Sequence, residues 1–229
     1  MKVDSIVDYI GSKTYPGRTI FISCGQEINL IYLLMGRSSN SQNRILLYED
    51  GVVSTQSYDP EKLEDPDLII YKPYRQLNNR HILTNGDQTD TIYKALMAGQ
   101  SMYAGLLSRT FEPDPPNFTP RISLLLEKKH YEFSLIKAGD PFGQTCNHFH
   151  FHYELMSGLG HCIHTYQDNG DPLPSFAGEP VTFPHESNLG EKIWQAADPV
   201  NKVSLLELSI ERETNDLKNV KIFNKWEGD

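Results

Sequence analysis

Four strand-like segments follow one another near the start of this chain, with no helical pattern between them. Each is rich in β-branched, aromatic and leucine side chains, and they span residues 19–24, 29–35, 44–49 and 52–57. Glu49, Asp50 and Gly51 predict a hairpin turn between the last two. A doubly wound parallel sheet would need helices between successive strands, so this series argues for antiparallel pairing.

The rest of the chain extends this pattern with more strands and a few helices. Strands are predicted at residues 81–83, 121–126, 131–137, 147–155, 162–166, 203–211 and 220–223. Helices are predicted at residues 3–10, from the 84–92 segment through Tyr103, and at residues 186–197. The prolines of residues 111–120 exclude regular helix and predict an ordered loop. We therefore expect an α+β fold with two packed sheets and helices outside, comprising a helical extension (residues 1–14) and one domain (residues 15–229).

Charge and cysteine content narrow the classes of function. Lys and Arg number 21 against 30 Asp and Glu, a net charge of −9, which disfavours nucleic acid or an anionic membrane as partner. The three cysteines, Cys24, Cys146 and Cys162, form no close pair, which favours a reducing compartment. With no signal-peptide pattern or membrane-spanning run, we expect a cytoplasmic protein.

Residues 84–92, with the sequence TNGDQTDTI, predict a junction between a strand and a helix. Asn85 and Gly86 provide the turn, and Asp87, Thr89 and Asp90 suit the first helical turn, where backbone N–H groups lack partners. Such a junction suits anion binding. The alternative is a well-capped surface helix.

Two further polar segments invite a ligand. Residues 36–44 present Arg37 and Arg44 among Ser and Asn side chains, a pattern that suits phosphate, although a solvated hairpin loop is the alternative. Residues 117–122, with the sequence NFTPRI, place Arg121 behind the proline-rich loop that contains Glu112. Here the alternative is an ordinary salt bridge.

Histidines alternate along one predicted strand face at His148, His150 and His152, and His161 and His164 follow. Residues two apart on a strand are separated by roughly 6.5 Å and the outer pair by about 13 Å, whereas a Zn–N bond is about 2.1 Å. Three histidines on a straight strand therefore cannot share an ion. We expect no metal here and favour packing or substrate hydrogen bonds.

Taken together, four motifs resemble the IMP cyclohydrolase family, the archaeal-type single-activity enzyme and its bacterial relatives. They are YPGR at residues 15–18, GRSSNSxNR at 36–44, TNGDQTDTI at 84–92 and NFTPRI at 117–122. Residues 160–166 (GHCIHTY) and 172–180 (PLPSFxGEP) resemble the bacterial branch. The resemblance covers most of the chain from Tyr15. It implies a four-layer αββα sandwich similar to the N-terminal nucleophile hydrolases, without their N-terminal nucleophile.

The resemblance also implies a reaction in de novo purine biosynthesis, catalysed by a hydrolase acting on C–N bonds in cyclic amidines. In it 5-formamidoimidazole-4-carboxamide ribonucleotide closes to inosine monophosphate with loss of water. This chemistry needs a base, donors for the oxyanion and a proton for the departing oxygen, but no cofactor. The implied partner is a small purine ribonucleotide; the sequence leaves a homo-oligomer open.

We assign roles from that chemistry as hypotheses. Glu112 is expected to transfer the proton, with Asp87 as the reserve candidate. Arg37 and Arg44 are expected to contact the 5′-phosphate or the oxyanion. Asn85 and the junction amides would contact the carboxamide or formyl oxygen, and Arg121 would orient Glu112 or the base. The expected catalytic set is Glu112, Arg44, Asn85 and Asp87. The expected substrate-binding set is Arg18, Arg37, Ser38, Asn40, Gly86, Thr89, Asn117, Thr119 and Arg121.

Two other functions remain compatible with the sequence. One is a metal-dependent amidohydrolase-like enzyme that uses His148, His150, His161 or His164. The other is a purine-nucleotide-binding protein that has the pocket but does not turn substrate over.

Overall fold

The structure, a computed structural model, describes residues 1–64 and 66–226, apart from the side chains of residues 67 and 68. It is α+β. The strands are β1 (Thr19–Cys24), β2 (Ile28–Met35), β3 (Arg44–Glu49), β4 (Val52–Ser57), β5 (Tyr74–Leu77), β6 (Arg80–Thr84), β7 (Arg121–Leu126), β8 (His130–Ala138), β9 (Cys146–Glu154), β10 (Leu159–His164), β11 (Val181–Pro184), β12 (Lys202–Ile210) and β13 (Leu217–Asn224). The helices are α1 (Ile6–Gly11), α2 (Ser39–Gln42), α3 (Pro66–Ile69), α4 (Gln88–Met97), α5 (Met102–Leu106) and α6 (Leu189–Ala196).

The strands form two antiparallel sheets. One has six strands in the order β11-β10-β1-β2-β12-β13, and the other has seven in the order β3-β4-β5-β6-β7-β8-β9. The hairpin predicted at Glu49 to Gly51 is present, with positive φ at Asp50 and Gly51, the conformation that a two-residue hairpin turn favours. The expectation of antiparallel rather than doubly wound parallel sheets is confirmed.

Three clusters of buried side chains show how the layers pack. The largest contains residues of both sheets, among them Tyr32 of β2 and Phe133 of β8, so it fills the space between them. A second joins α1 and α6 to the six-stranded sheet, and a third joins α4 and α5 to the seven-stranded sheet. This arrangement is compatible with the expected αββα sandwich. The likeness to N-terminal nucleophile hydrolases and the division at residue 14 stay predictions.

Several predicted boundaries differ from the structure. The single helix expected through Tyr103 is two helices, because Gly99 adopts φ +74° and Ser101 begins α5 by accepting a hydrogen bond from the Ala104 amide. Strands β5 and β11 and the short helix α2 were not expected. Within the described residues, no helix has the length and apolar character needed to cross a membrane.

Candidate functional site

A buried ion pair between Arg18 and Glu112 lies at the centre of the candidate site. Arg18 immediately precedes β1, whereas Glu112 belongs to the proline-rich loop before β7, so the pair links segments that lead into different sheets. Nη2 of Arg18 donates to Oε1 and Oε2 of Glu112 at 3.1 and 3.0 Å. Only 12% and 9% of the two side chains are exposed, so solvent screens the pair weakly.

Burial and neighbouring charges shift the pKa values of Glu112 and Arg18 in opposite directions. Burial raises the pKa of Glu112 above its ordinary value, although Arg18 and Arg121 oppose the change. Burial acts to lower the pKa of Arg18, but Glu112 and the phenols of Tyr166, Tyr71 and Tyr15 raise it overall. The guanidinium therefore remains charged, while Glu112 exchanges a proton more readily near neutral pH than an exposed glutamate does. Such a carboxyl group is suited to proton transfer.

Arg121, the first residue of β7, makes a second polar network beside this pair. Its Nη1 donates to Oδ1 of Asp87 at 2.7 Å and to Oε1 of Gln88 at 2.9 Å, and its Nε donates to the carbonyl of Thr110. Arg109 also donates to Asp87. Arg121 is thus bonded to the 84–92 junction, and Arg18 is the residue that hydrogen-bonds Glu112. The orienting role predicted for Arg121 would have to act through its charge.

Asp87 occupies the position that precedes α4, yet its side chain makes no capping hydrogen bond. The capping role considered from the sequence is therefore incorrect, because Arg109 and Arg121 draw the carboxylate away from the helix amides. Burial acts to raise the pKa of Asp87, but hydrogen bonds and charge from the two arginines lower it overall. Asp87 is consequently held as an anion.

Gly86 allows the two networks to meet. A Cβ at this position would lie 2.8 Å from Nη1 of Arg121 and 2.7 Å from Oε1 of Gln88, and 3.6 Å from Oε1 of Glu112. Only glycine leaves room for these contacts. The junction, Glu112 and Arg121, which are far apart in sequence, therefore form one contiguous site.

Asn85 and Thr89 of the junction are buried and make internal hydrogen bonds, whereas Asp90 is partly exposed and pairs with Arg75. Asn85 donates from Nδ2 to the Pro120 carbonyl, and its Oδ1 accepts from the Ile122 amide and from Gln88. Thr89 is also buried and bonds to Thr84 through their hydroxyl groups. The side-chain oxygen and nitrogen of Asn85 thus hold the junction against the start of β7. The substrate contact expected of Asn85 would require part of this network to open.

Arg44, the first residue of β3, is a buried cation with an unusual environment. Only 2% of the residue is exposed, and its Nε donates to the Ser41 carbonyl at 2.7 Å. Among residues 1–64 and 66–226, no carboxylate pairs with it, and no acceptor takes a hydrogen bond from Nη1 or Nη2. Because an isolated buried charge is costly, this position favours an anionic ligand.

The neighbouring candidates in residues 36–44 make mainly local contacts. Arg37 is exposed and donates to Oδ1 of Asn169 at 2.7 Å and to the Gly170 carbonyl. Ser38 caps α2 by accepting from the Ser41 amide, and Asn40 exchanges two hydrogen bonds with Glu64. These three residues hold loops together, and Arg44 alone in this segment is deeply buried and charged.

Tyrosines that the sequence did not mark lie between the arginines. The hydroxyls of Tyr32 and Tyr71 are 2.7 Å apart. Burial raises the pKa of Tyr32, as does Tyr71, while Arg18 and Arg44 both oppose the change, so the two guanidiniums lie near the same phenol. Both tyrosines belong to apolar runs that are typical of core, which is why sequence reasoning missed them.

Residues 117–122 supply the remaining candidates. The Thr119 hydroxyl bonds to Tyr166 and to Asp114, beside the Arg18 pair. Oδ1 of Asn117 accepts from the Leu173 amide and so holds the Pro172–Pro180 region against this loop. Thr119 is therefore close to Arg18, and Asn117 acts at the contact between two loops.

The histidines are dispersed rather than convergent. His148 and His150 lie on β9 at one edge of the seven-stranded sheet, whereas His161 and His164 lie on β10 of the other sheet. His161 bonds to the Tyr131 hydroxyl, and His164 bonds to the Tyr9 hydroxyl and the Tyr166 carbonyl. Burial lowers the pKa of both to about 4, so they are neutral at pH 7. The histidine set considered for an amidohydrolase does not assemble among the described residues.

Comparison with known proteins identifies the family. A family model described as IMP cyclohydrolase-like protein matches residues 15–215. No curated protein matches the chain. The match covers most of the chain and includes every candidate residue of the site, and the chain therefore belongs to the IMP cyclohydrolase-like family.

Proposed function

We propose that this family member is an IMP cyclohydrolase of de novo purine biosynthesis. It would close 5-formamidoimidazole-4-carboxamide ribonucleotide to inosine monophosphate. In the closure, the carboxamide nitrogen forms a bond to the formyl carbon and loses one of its two protons. The formamido nitrogen loses its proton as its bond to the same carbon becomes double, and the C–O bond breaks, so that the former formyl oxygen leaves with two protons as water. The buried Arg18–Glu112 pair carries this proposal, because it provides one group for each of the two needs of the reaction, proton transfer and charge stabilisation.

Glu112 has the position and environment of the proton-transfer group. As a carboxylate it would accept the proton of the attacking nitrogen, and as the acid it would return a proton to the departing oxygen. Burial raises its pKa above the ordinary glutamate value, which favours the proton-carrying form relative to an exposed glutamate. Arg18 fixes the orientation of the carboxyl group through hydrogen bonds to both oxygens, and its charge would stabilise the developing oxyanion.

Arg44 is the favoured contact for the 5′-phosphate or another anionic oxygen of the nucleotide. It is buried, and the described residues leave its terminal nitrogens without an acceptor. A guanidinium in this state can fork onto two phosphate oxygens. Tyr32 and Tyr71, which lie near Arg18 and Arg44, would meet the part of the nucleotide between phosphate and base.

No covalent intermediate is needed, because nucleophile and electrophile belong to one substrate molecule. Holding two such groups in register can supply an effective molarity of about 10⁵ M or more. In this proposal the fold resembles the N-terminal nucleophile hydrolases without their nucleophile. Residue 15, where the family match begins, follows α1 and is a tyrosine.

Turnover of the formamido nucleotide tests the function directly. Purified protein without added cofactor should form inosine monophosphate well above the spontaneous rate, measured by absorbance and by chromatography of the product. Glu112→Gln is the matched control, since it keeps the side chain's size and removes its charge. Absence of product above the spontaneous rate would exclude the enzyme. Calorimetric titration with inosine monophosphate would then tell a nucleotide-binding protein from one that does not bind nucleotides.

A further inference from the structure

We propose that His130, Glu132 and His152 bind one divalent transition-metal ion, such as Zn²⁺, on the outer face of the seven-stranded sheet. Each side chain offers one ligand atom, and these atoms lie within 4.8 Å of one another. Within the described chain, no other three His, Cys, Asp or Glu residues converge in this way. The proposal does not depend on the proposed function.

The pairing of two strands produces this convergence. His130 and Glu132 are two residues apart on β8 and so point to the same face. His152 of the edge strand β9 lies directly opposite Glu132 in the register. Opposed side chains on an antiparallel pair have Cβ atoms about 5 Å apart, and diagonal neighbours remain within reach. Three ligands from two strands thus avoid the spacing that prevents three histidines of one strand from sharing an ion.

The three ligand groups already lie close together, although the two imidazole rings are stacked and must turn to face one ion. Nδ1 of His152 is 3.6 Å from Oε1 of Glu132, and the ring centroids of His130 and His152 are 4.6 Å apart. Tetrahedral ligands at about 2.1 Å from zinc are roughly 3.4 Å from one another. Rotations of exposed side chains are sufficient to close the remaining gap, because the three side chains are 27–59% exposed.

The carboxylate of Glu127 lies beside His130, one of the proposed ligands. Oε2 of Glu127 lies 2.9 Å from Nε2 of His130, and Oε1 of Glu127 forms an ion pair with Nε of Arg80 at 2.9 Å. A carboxylate beside one ring nitrogen can orient the imidazole, as partners of metal-bound histidines commonly do. Glu127 is therefore a positioning residue for the proposed ion.

The donor set and its surroundings indicate the kind of ion. Two imidazoles and one carboxylate suit Zn²⁺, Co²⁺ or Ni²⁺, whereas Mg²⁺ and Ca²⁺ prefer oxygen ligands alone. A cavity of about 470 Å³ borders His130 and His152, which leaves room for a fourth ligand. The other residues that line it are Lys128, Lys129, Glu154, Leu155 and Arg212, and the surplus of positive charge among them favours an anionic fourth ligand such as chloride or hydroxide.

The proposed metal site is remote from the Arg18–Glu112 pair. Arg121, which adjoins that pair, lies opposite Ile136, and Ile136 is six residues along β8 from His130. At about 3.3 Å per residue, Glu132 and His130 lie roughly 13 and 20 Å from that position along the strand. The ion would therefore tie the edge strand β9 to β8, and it would take no part in the proposed cyclisation.

Metal titration of the untagged protein tests the proposal. Calorimetry with ZnCl₂ should show one ion per chain, and Co²⁺ should give the visible absorption of a bound ion. His152→Ala and Glu132→Gln should each weaken Zn²⁺ binding at least about 10-fold, since they remove ligands rather than outer partners. His148→Ala is the matched control, because it lies on the same face of β9 and outside the cluster. It should bind Zn²⁺ as the wild type does.

Thermal denaturation gives a second measurement. Zn²⁺ should raise the Tm of the wild type and of His148→Ala, and raise the Tm of folded His152→Ala distinctly less at the same concentration. Mg²⁺ at the same concentration should neither raise the Tm nor displace Co²⁺. The proposal is overturned if the wild type shows no saturable binding up to millimolar Zn²⁺, or if His152→Ala and Glu132→Gln bind Zn²⁺ as tightly as the wild type.

Discussion

The Arg18–Glu112 site and the histidine face of β8 and β9 both gather ionisable side chains, but they differ in burial. Glu112 is 7% exposed and bonded twice to a guanidinium, whereas the His152 side chain is 59% exposed. Burial changes the pKa of Glu112 and fixes its orientation. The histidines on the open face are free to turn toward an ion. Burial therefore favours proton chemistry at the first site, and exposure favours coordination at the second.

The two sites also differ in the number of hydrogen bonds that hold their side chains in place. In the buried site, hydrogen bonds that involve Arg121, Asn85 and Gln88 connect the junction to β7. Loss of one of these side chains therefore disturbs the hydrogen bonds of the other two. On the histidine face, each residue makes few bonds beyond its strand pairing. Substitutions at the buried site should alter catalysis strongly, and substitutions on the open face should alter metal binding alone.

The largest effect is expected at Glu112. Glu112→Gln should lower kcat by about 10²–10⁴-fold, since the amide cannot transfer the proton. The affinity for substrate should change less. Steady-state kinetics measure both, with circular dichroism to confirm folding. A change confined to KM would assign Glu112 to binding.

A smaller but still large loss is expected at Arg44. Arg44→Ala should reduce kcat/KM by an amount equivalent to about 2–5 kcal/mol if the buried guanidinium meets an anionic oxygen of the substrate. Arg37→Ala, the matched control from the same loop, should cost roughly 1 kcal/mol or less, because Arg37 is exposed. Equal losses in the two variants would contradict the distinction drawn from burial. Thermal denaturation of each variant separates lost binding from lost folding.

Gly86 tests whether the two networks of the buried site must touch. In Gly86→Ala the added methyl would lie 2.8 Å from Nη1 of Arg121 and 2.7 Å from Oε1 of Gln88, so those side chains must move. Overpacking of this kind costs about 1–3 kcal/mol. We expect a lower Tm and a reduced kcat. Wild-type values of both would show that the contact tolerates displacement.

The pH dependence of kcat/KM gives a subtler test of the same site. If Glu112 acts first as a base, activity is present above its pKa in the free enzyme and is lost as pH falls through it. Because burial raises that pKa, the acidic limb should lie above the usual glutamate range. The limb should be absent from the residual activity of Glu112→Gln. A limb unchanged in that variant would belong to another group.

No effect on turnover is expected at the histidine face. Removal of metal by chelation, and the variant His152→Ala, should both leave kcat and KM unchanged, since the three proposed ligands lie roughly 13–20 Å from Arg121 along the sheet. Turnover assays before and after chelation measure this. If chelation abolished activity and Zn²⁺ restored it, the metal site would be needed for turnover, contrary to the separation of the two sites.

Local patterns predicted most of the strands. The limits of β1, β3, β4 and β7 agree with the predicted ones, because hydrophobic and β-branched residues in these segments end at clear turn residues. The four-residue strands β5 and β11 were missed. β5 carries little apolar signal, and β11 has the β-forming residues Val181 and Phe183 but is short and follows a turn-rich loop, so pairing with neighbouring strands defines both. The helix expected through Tyr103 was wrong because Gly99 interrupts it.

The sequence by itself determined the α+β class, the motifs of the family and the residue types of the candidate site, because periodicity and turn chemistry are local. Only the tertiary structure decided which of those residues meet. Arg18 and Glu112 are 94 positions apart, and their contact depends on how both sheets pack. The same holds for His152 and Glu132, which the β8–β9 register places opposite each other. Burial, which sets the pKa of Glu112 and leaves Arg44 without a carboxylate among the described residues, likewise arises only when distant segments exclude water together.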